Sequence, residues 1–155
     1  MAKSKKKKKI LFVCSGNTCR SPMAVGLLRN MVDEQKYEII SAGLDAAITS
    51  RASVEAVEVM QEEGIDISGH TSMLLTGELL EEADMVFVMT QYHKNNIISW
   101  FKSMGTKVHL VREFDEVRDD SYYPDVPDPI GHDKGGYRKC RDMIERSLKG
   151  AIKIL

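Results

Sequence analysis

Apolar residues gather in four short runs, and the stretches between them carry helical spacing. Ile10-Leu11-Phe12-Val13 and Met85-Val86-Phe87-Val88-Met89 are wholly apolar, the pattern of parallel strands buried on both faces. Tyr37-Glu38-Ile39-Ile40, ended by Ser41-Ala42-Gly43, reads as a short strand, and Lys107-Val108-His109-Leu110 as the last one. Pro22 to about Asp33 sets Met23, Leu27, Leu28 and Met31 three or four residues apart, and Ser53 to Glu63 sets Val54, Val57 and Met60 at threes before Gly64. Met73 to Glu82 predicts a shorter helix, with Thr76 capping the part from Gly77. Thr90 to Met104 predicts another, and Tyr137 to Ile154 a last one with Met143, Ile144, Leu148, Ala151 and Ile152 on one face. Strand and helix alternate, which predicts an α/β fold: a three-layer open sandwich on a four-stranded parallel sheet.

The junction of the first strand with the first helix is Cys14-Ser15-Gly16-Asn17-Thr18-Cys19-Arg20-Ser21. Gly16-Asn17 suits a turn that needs positive φ, and Ser21-Pro22 reads as a helix cap and first helical position. Main-chain N–H groups in such a loop converge on an anion. Cys14 and Arg20 would then face one phosphate-sized space, at the carboxyl end of a strand where open parallel sheets bind ligands. The convergent donors, the helix start and Arg20 are all expected to favour the thiolate of Cys14, and Ser21 to donate to it. A thiolate nucleophile beside a rigid donor fork suits displacement at phosphorus, with Arg20 holding two phosphoryl oxygens.

Composition narrows the setting. A chain of 155 residues with 43% hydrophobic content makes one ordinary domain, here residues 9–155 after a flexible basic lead-in over 1–8. Six of the 22 basic residues, Lys3 and Lys5 to Lys9, open the chain, leaving 16 basic against 23 acidic residues in the rest. That acidic body argues against a nucleic-acid partner, and no apolar stretch is long enough for a membrane helix. No secretory pattern follows the lysines, so a cytoplasmic protein is expected. Three cysteines, Cys14, Cys19 and Cys140, make neither a disulfide framework nor a zinc spacing. No metal or cofactor is called for, and Cys140 reads as packing or surface.

From Arg112 to Gly136 the periodicity fades among charges and three prolines, a span too long for a simple connection and thus a place for function. Within it, Asp125-Val126-Pro127-Asp128-Pro129-Ile130-Gly131 is the informative stretch. Read locally, Asp128 before Pro129 starts a turn. Read with the first loop, it is a candidate acid that protonates a leaving group and then activates water.

Cys14 through Ser21 resembles the Cys-x5-Arg-Ser signature of the low-molecular-weight protein tyrosine phosphatase family, including its Gly-Asn, its second cysteine and the following proline. Ser41-Ala42-Gly43, His70 and Asp128-Pro129 extend the resemblance from about Lys9 to Leu155. It implies that Cys14 forms a cysteinyl-phosphate intermediate, that Arg20 clamps the phosphoryl group, and that Asp128 is the general acid. Asn17, Ser21 and His70 would support the loop. The resemblance also points to a reversible Cys14–Cys19 disulfide as a redox control.

Thr18, Met89-Thr90 and Asp128-Pro129-Ile130-Gly131 look like the bacterial protein arginine phosphatase branch of that family, where tyrosine phosphatases commonly carry an apolar residue at the position of Thr18. Thr18, Asp45, Tyr122, Tyr123 and Ile130 are the specificity candidates. The expected substrate is therefore phosphoarginine in a protein or peptide, with inorganic phosphate as product and a monomer as the working unit. Phosphotyrosine is the alternative, since Tyr122 and Tyr123 suit an aromatic ring, whereas Asp45 weakens an aromatic wall. Val25 stands where the family commonly has a glutamate. Thiol-linked arsenate reduction needs relay cysteines that the late loop lacks. A phosphopeptide-binding module without catalysis would need neither Cys14 nor Asp128.

Overall fold

The computed structural model describes residues 6–117 and 123–155. Four parallel strands, β1 (Lys8–Cys14), β2 (Tyr37–Gly43), β3 (Met85–Val88) and β4 (Val108–Leu110), form one sheet in the order β2-β1-β3-β4. The helices are α1 (Arg20–Met31), α2 (Val54–Gln61), α3 (Gly77–Glu82), α4 (Gln91–Trp100) and α5 (Lys134–Ala151).

Alternate residues of the central strands feed two separate cores. Ile10 and Phe12 of β1, with Phe87 of β3, pack against Met23 and Leu27 of α1, Met60 of α2 and Ile144 and Leu148 of α5. Leu11 and Val13, with Val86 and Val88, pack on the other face against Leu80 of α3 and Ile97 of α4. The result is the expected three-layer sandwich. Because the order reverses at β1, its carboxyl end opens between β2 and β3, the crevice where such sheets place ligands.

Local chemistry sets the helix starts. Ser53 accepts from Ala56 N–H, Thr76 from Leu79 N–H and Asp133 from Gly136 N–H. The structure departs from the sequence reading at several points. Ser21 does not cap α1, which starts at Arg20 after Cys19, because its hydroxyl is engaged in the loop described below. Met73 to Leu75 are not helical: Gly43 N–H donates to Met73 C=O and Leu75 N–H to Gly43 C=O, so this segment continues the sheet edge beside β2. The helix after Thr90 stops at Trp100 and gives way to a separate 3₁₀ turn, Lys102–Met104. The lead-in ends earlier than expected, since Lys8 already belongs to β1 and donates to Lys36 C=O. Among the described residues no helix is long and apolar enough to cross a membrane.

Candidate active site

Cys14 is the last residue of β1, opposite Gly43 of β2. The chain then turns through Asn17, whose φ of 57° lies in the left-handed region that asparagine tolerates. The neighbouring backbone comes so close that a Cβ on Gly43 would sit 2.5 Å from Ser15 C=O. Surrounding segments take up the loop's carbonyls: Leu44 N–H donates to Cys14, Asp45 N–H to Ser15, Ser53 N–H to Thr18 and Met23 N–H to Cys19, all at 2.9–3.1 Å. No described group accepts from the N–H of Gly16, Thr18 or Cys19. A loop with most of its carbonyls taken up and the N–H groups of Gly16, Thr18 and Cys19 left free is built for an anion.

Asn17 organises the loop from a fully buried position. Its Oδ1 accepts from Met73 N–H at 2.9 Å, which fixes the amide so that Nδ2 donates to Ser21 Oγ at 2.7 Å and to Ser41 Oγ at 2.9 Å. His70 Nε2 donates to Asn17 C=O at 2.7 Å, so the proton is on that nitrogen, and burial holds the ring's pKa below the ordinary value. With Ser21 Oγ already accepting from Asn17, its single proton is free for Cys14 Sγ, 2.8 Å away. Asn17 N–H is a second donor to that sulfur at 3.2 Å.

These donors do not lower the thiol's pKa outright, as the sequence reading expects. Burial pushes Cys14 up and is the largest influence; the Ser21 hydroxyl, the Arg20 charge and the N–H groups of Ser21 and Asn17 work against it. Cys14 is only 2% exposed, at the end of a strand covered on both faces. The loop therefore offsets a desolvation cost that the linear sequence does not display.

Arg20 is buried, and its Nη1 donates to Val126 C=O at 3.0 Å while Nη2 lies 3.8 Å from Asp128 Oδ2. Val126 N–H in turn donates to Met89 C=O at the end of β3, which pins the late loop over the first one. Asp128 Oδ1 accepts from Ile130 N–H, and the carboxyl group remains about half exposed. Cys14, Thr18, Arg20, Asp128 and Ile130 thus line one small cleft.

The other candidates lie apart. Asp45 contributes its N–H to Ser15 but does not line the cleft, and Tyr123 is exposed, with its carbonyl accepting from Arg112. Tyr122 lies outside the described residues. All three cysteines are free and buried. Cys19 Sγ faces Ser53 Oγ and Tyr137 OH, and Cys140 packs in the same core, not at the surface.

One residue escapes the sequence reading. His93 in the first turn of α4 is buried, accepts from Thr90 N–H at Nδ1 (3.2 Å) and therefore donates from Nε2 to Ser15 Oγ at 2.9 Å. Burial, helped by the Arg20 charge and opposed by Asp128, holds its pKa at about 4. A histidine on a polar helix 78 residues from its partner gives no local signal; only the Thr90 cap three residues earlier hints at an ordered first turn.

Compared with known proteins, residues 9–155 match the family model described as low molecular weight phosphotyrosine protein phosphatase. The chain is 38% identical over 148 residues to a protein-arginine-phosphatase of Bacillus subtilis, covering 94% of this chain and 95% of the relative. It is 37% identical over 141 residues to a probable low molecular weight protein-tyrosine-phosphatase of Ralstonia nicotianae, covering 91% of each. An arginine phosphatase structure from Geobacillus stearothermophilus superposes with a TM-score of 0.83 at 38% identity, covering 95% of this chain and 92% of that one.

Proposed function

The chain belongs to the low molecular weight phosphotyrosine protein phosphatase family and is a cysteine-dependent phosphatase; on that premise we propose that it removes phosphate from phosphoarginine side chains of proteins. The observation that carries this reading is the shared cleft of Cys14, the loop, Arg20 and Asp128, with Thr18 on its wall. Cys14 attacks phosphorus as a thiolate, and the S–P bond forms as the P–N bond breaks. Arg20 and the free loop N–H groups take the charge on the phosphoryl oxygens. Asp128 gives its proton to the departing guanidinium nitrogen. In the second step the Asp128 carboxylate takes a proton from water, water attacks phosphorus, and the S–P bond breaks to release inorganic phosphate. The sulfur leaves as the thiolate that Ser21 and Asn17 hold.

Two features favour arginine over tyrosine. Thr18 puts a branched, hydroxyl-bearing side chain on the wall, and the half-exposed carboxyl of Asp128 offers a guanidinium N–H an acceptor oxygen beside the proton it donates. Relatives named for arginine phosphatase activity match most of this chain. The test compares phosphoarginine and phosphotyrosine peptides of one sequence with the parent and with Thr18→Ile. The parent is expected to favour phosphoarginine, and T18I to shift the ratio toward phosphotyrosine. A parent that favours tyrosine, with a ratio unmoved by T18I, overturns the assignment.

A further inference from the structure

The catalytic loop is held unevenly by the two strands beside β1. From the β2 side it has many anchors: Leu44 and Asp45 N–H donate to the carbonyls of Cys14 and Ser15, and Ser41, His70 and Met73 all bond to Asn17. From the other side, where β3 runs into α4, the loop receives one hydrogen bond among the described residues, from His93 Nε2 to Ser15 Oγ at 2.9 Å. Ser15 directly follows Cys14.

The same junction also holds the late loop. Met89 C=O accepts from Val126 N–H at 2.8 Å, and Gln91 N–H donates to Asp125 Oδ1 at 2.7 Å. Residues 89–93 therefore grip both halves of the site: Asp125 and Val126 on the segment that carries Asp128, and Ser15 on the segment that carries Cys14. Arg20, bonded to Val126 C=O, ties the two segments directly, and His93 ties them through the scaffold. The charges of Arg20 and Asp128 both reach the imidazole, so the ring lies within electrostatic range of the site. Its orientation is fixed by its own helix cap: Thr90 Oγ1 accepts from His93 N–H at 3.1 Å while Thr90 N–H donates to Nδ1, which leaves the ring proton on Nε2. An apolar side chain could fill this buried place but would offer Ser15 no donor.

We propose that His93 is a positioning residue for the phosphatase reaction: through Ser15 it keeps the loop of the nucleophile in register with the late loop that carries the acid. This rests on the assignment of Cys14 as nucleophile and Asp128 as acid. Phosphoryl oxygens are held by Arg20 and the loop N–H groups, none of which His93 touches. In-line attack with proton transfer depends instead on how the two loops stand to each other, so the bond acts on kcat more than on KM.

The test compares the full-length parent with His93→Leu, His93→Gln, Ser15→Ala and the double variant S15A/H93L on phenyl phosphate. His93→Leu and Ser15→Ala should each lower kcat about tenfold, the worth of one hydrogen bond, with KM within about twofold of the parent. The double variant should lose no more than either single one, since both remove the same bond. His93→Gln, whose amide N–H reaches toward Ser15, should recover most of the loss. Imidazole nitrogen NMR at neutral pH gives a reading that needs no turnover: the parent should show His93 neutral with its proton on Nε2, and Ser15→Ala should shift that nitrogen's signal. Ser15→Ala and the nitrogen spectrum decide the matter where His93→Leu does not fold. Losses that multiply in the double variant, an unchanged kcat in Ser15→Ala, or a ring protonated on Nδ1 would overturn the proposal. Cys14→Ser, run alongside, should be inactive. Turnover surviving there overturns the nucleophile assignment and this proposal with it, whereas an inactive C14S beside a full-strength H93L overturns this proposal alone.

Discussion

Asn17 Nδ2 and Ser21 Oγ stand 2.7 Å apart, and this contact decides which way the serine proton points. With its oxygen accepting from the amide, Ser21 donates to Cys14 Sγ. Removing that donor by Ser21→Ala leaves a buried sulfur with less to offset desolvation. We expect kcat to fall by roughly tenfold to a hundredfold, the worth of a hydrogen bond to a charged group. The acidic limb of the kcat/KM profile should move to higher pH. A limb that stays in place would show that Ser21 does not act on the thiolate.

In the proposed mechanism Asp128 acts on the leaving group and not on the sulfur. Asp128→Asn should slow phosphoarginine and other poor leaving groups by about 10²- to 10⁴-fold. An aryl phosphate with a strongly acidic phenol should lose much less. A uniform loss across a series of leaving groups would rule out the acid role.

His93 makes stability depend on pH. Its folded pKa of about 4 lies below the ordinary 6.5, so the unfolded chain binds the proton first. Stability should therefore fall as pH drops from about 6.5 to about 4 and, for this group, level off below that, by at most about 3 kcal/mol. The slope of denaturant-derived stability against pH should be shallower in His93→Gln than in the parent. His70, also held below its ordinary value, contributes in the same direction and remains in both proteins.

Gly150 in α5 carries a packing constraint remote from the chemistry. A Cβ there would meet Phe114 C=O at 1.9 Å, too near for backbone that cannot swing aside. Gly150→Ala should destabilise the fold by about 1–3 kcal/mol despite alanine's better helix propensity. Chemical denaturation measures this, and a stabilised variant would show that α5 and the 111–114 turn are not packed as described.

The alternation of strands and helices was legible because buried parallel strands leave continuous apolar runs such as Met85 to Met89. The loop from Cys14 to Ser21 was legible as a unit because its residues are contiguous. What escaped depends on partners distant in sequence. Ser21 looks like a cap until Asn17 and Cys14 claim its hydroxyl. Met73 to Leu75 have helical spacing, but the exposed edge at Gly43 offers them hydrogen bonds that a helix start would not. Gly135-Gly136 hid the first turn of α5, which Asp133 caps nonetheless. The direction in which burial drives Cys14 follows from two cores closing over β1, a property of the sheet and not of the motif.

Arg20 holds the carbonyl of Val126, and Val126 begins the three-residue step to Asp128. Under the proposed mechanism, the side chain assigned to the phosphoryl oxygens is thus also the tether of the segment that carries the assigned acid. A substitution at Arg20 would therefore release the late loop as well as strip charge from the cleft, so the two losses cannot be separated at that position.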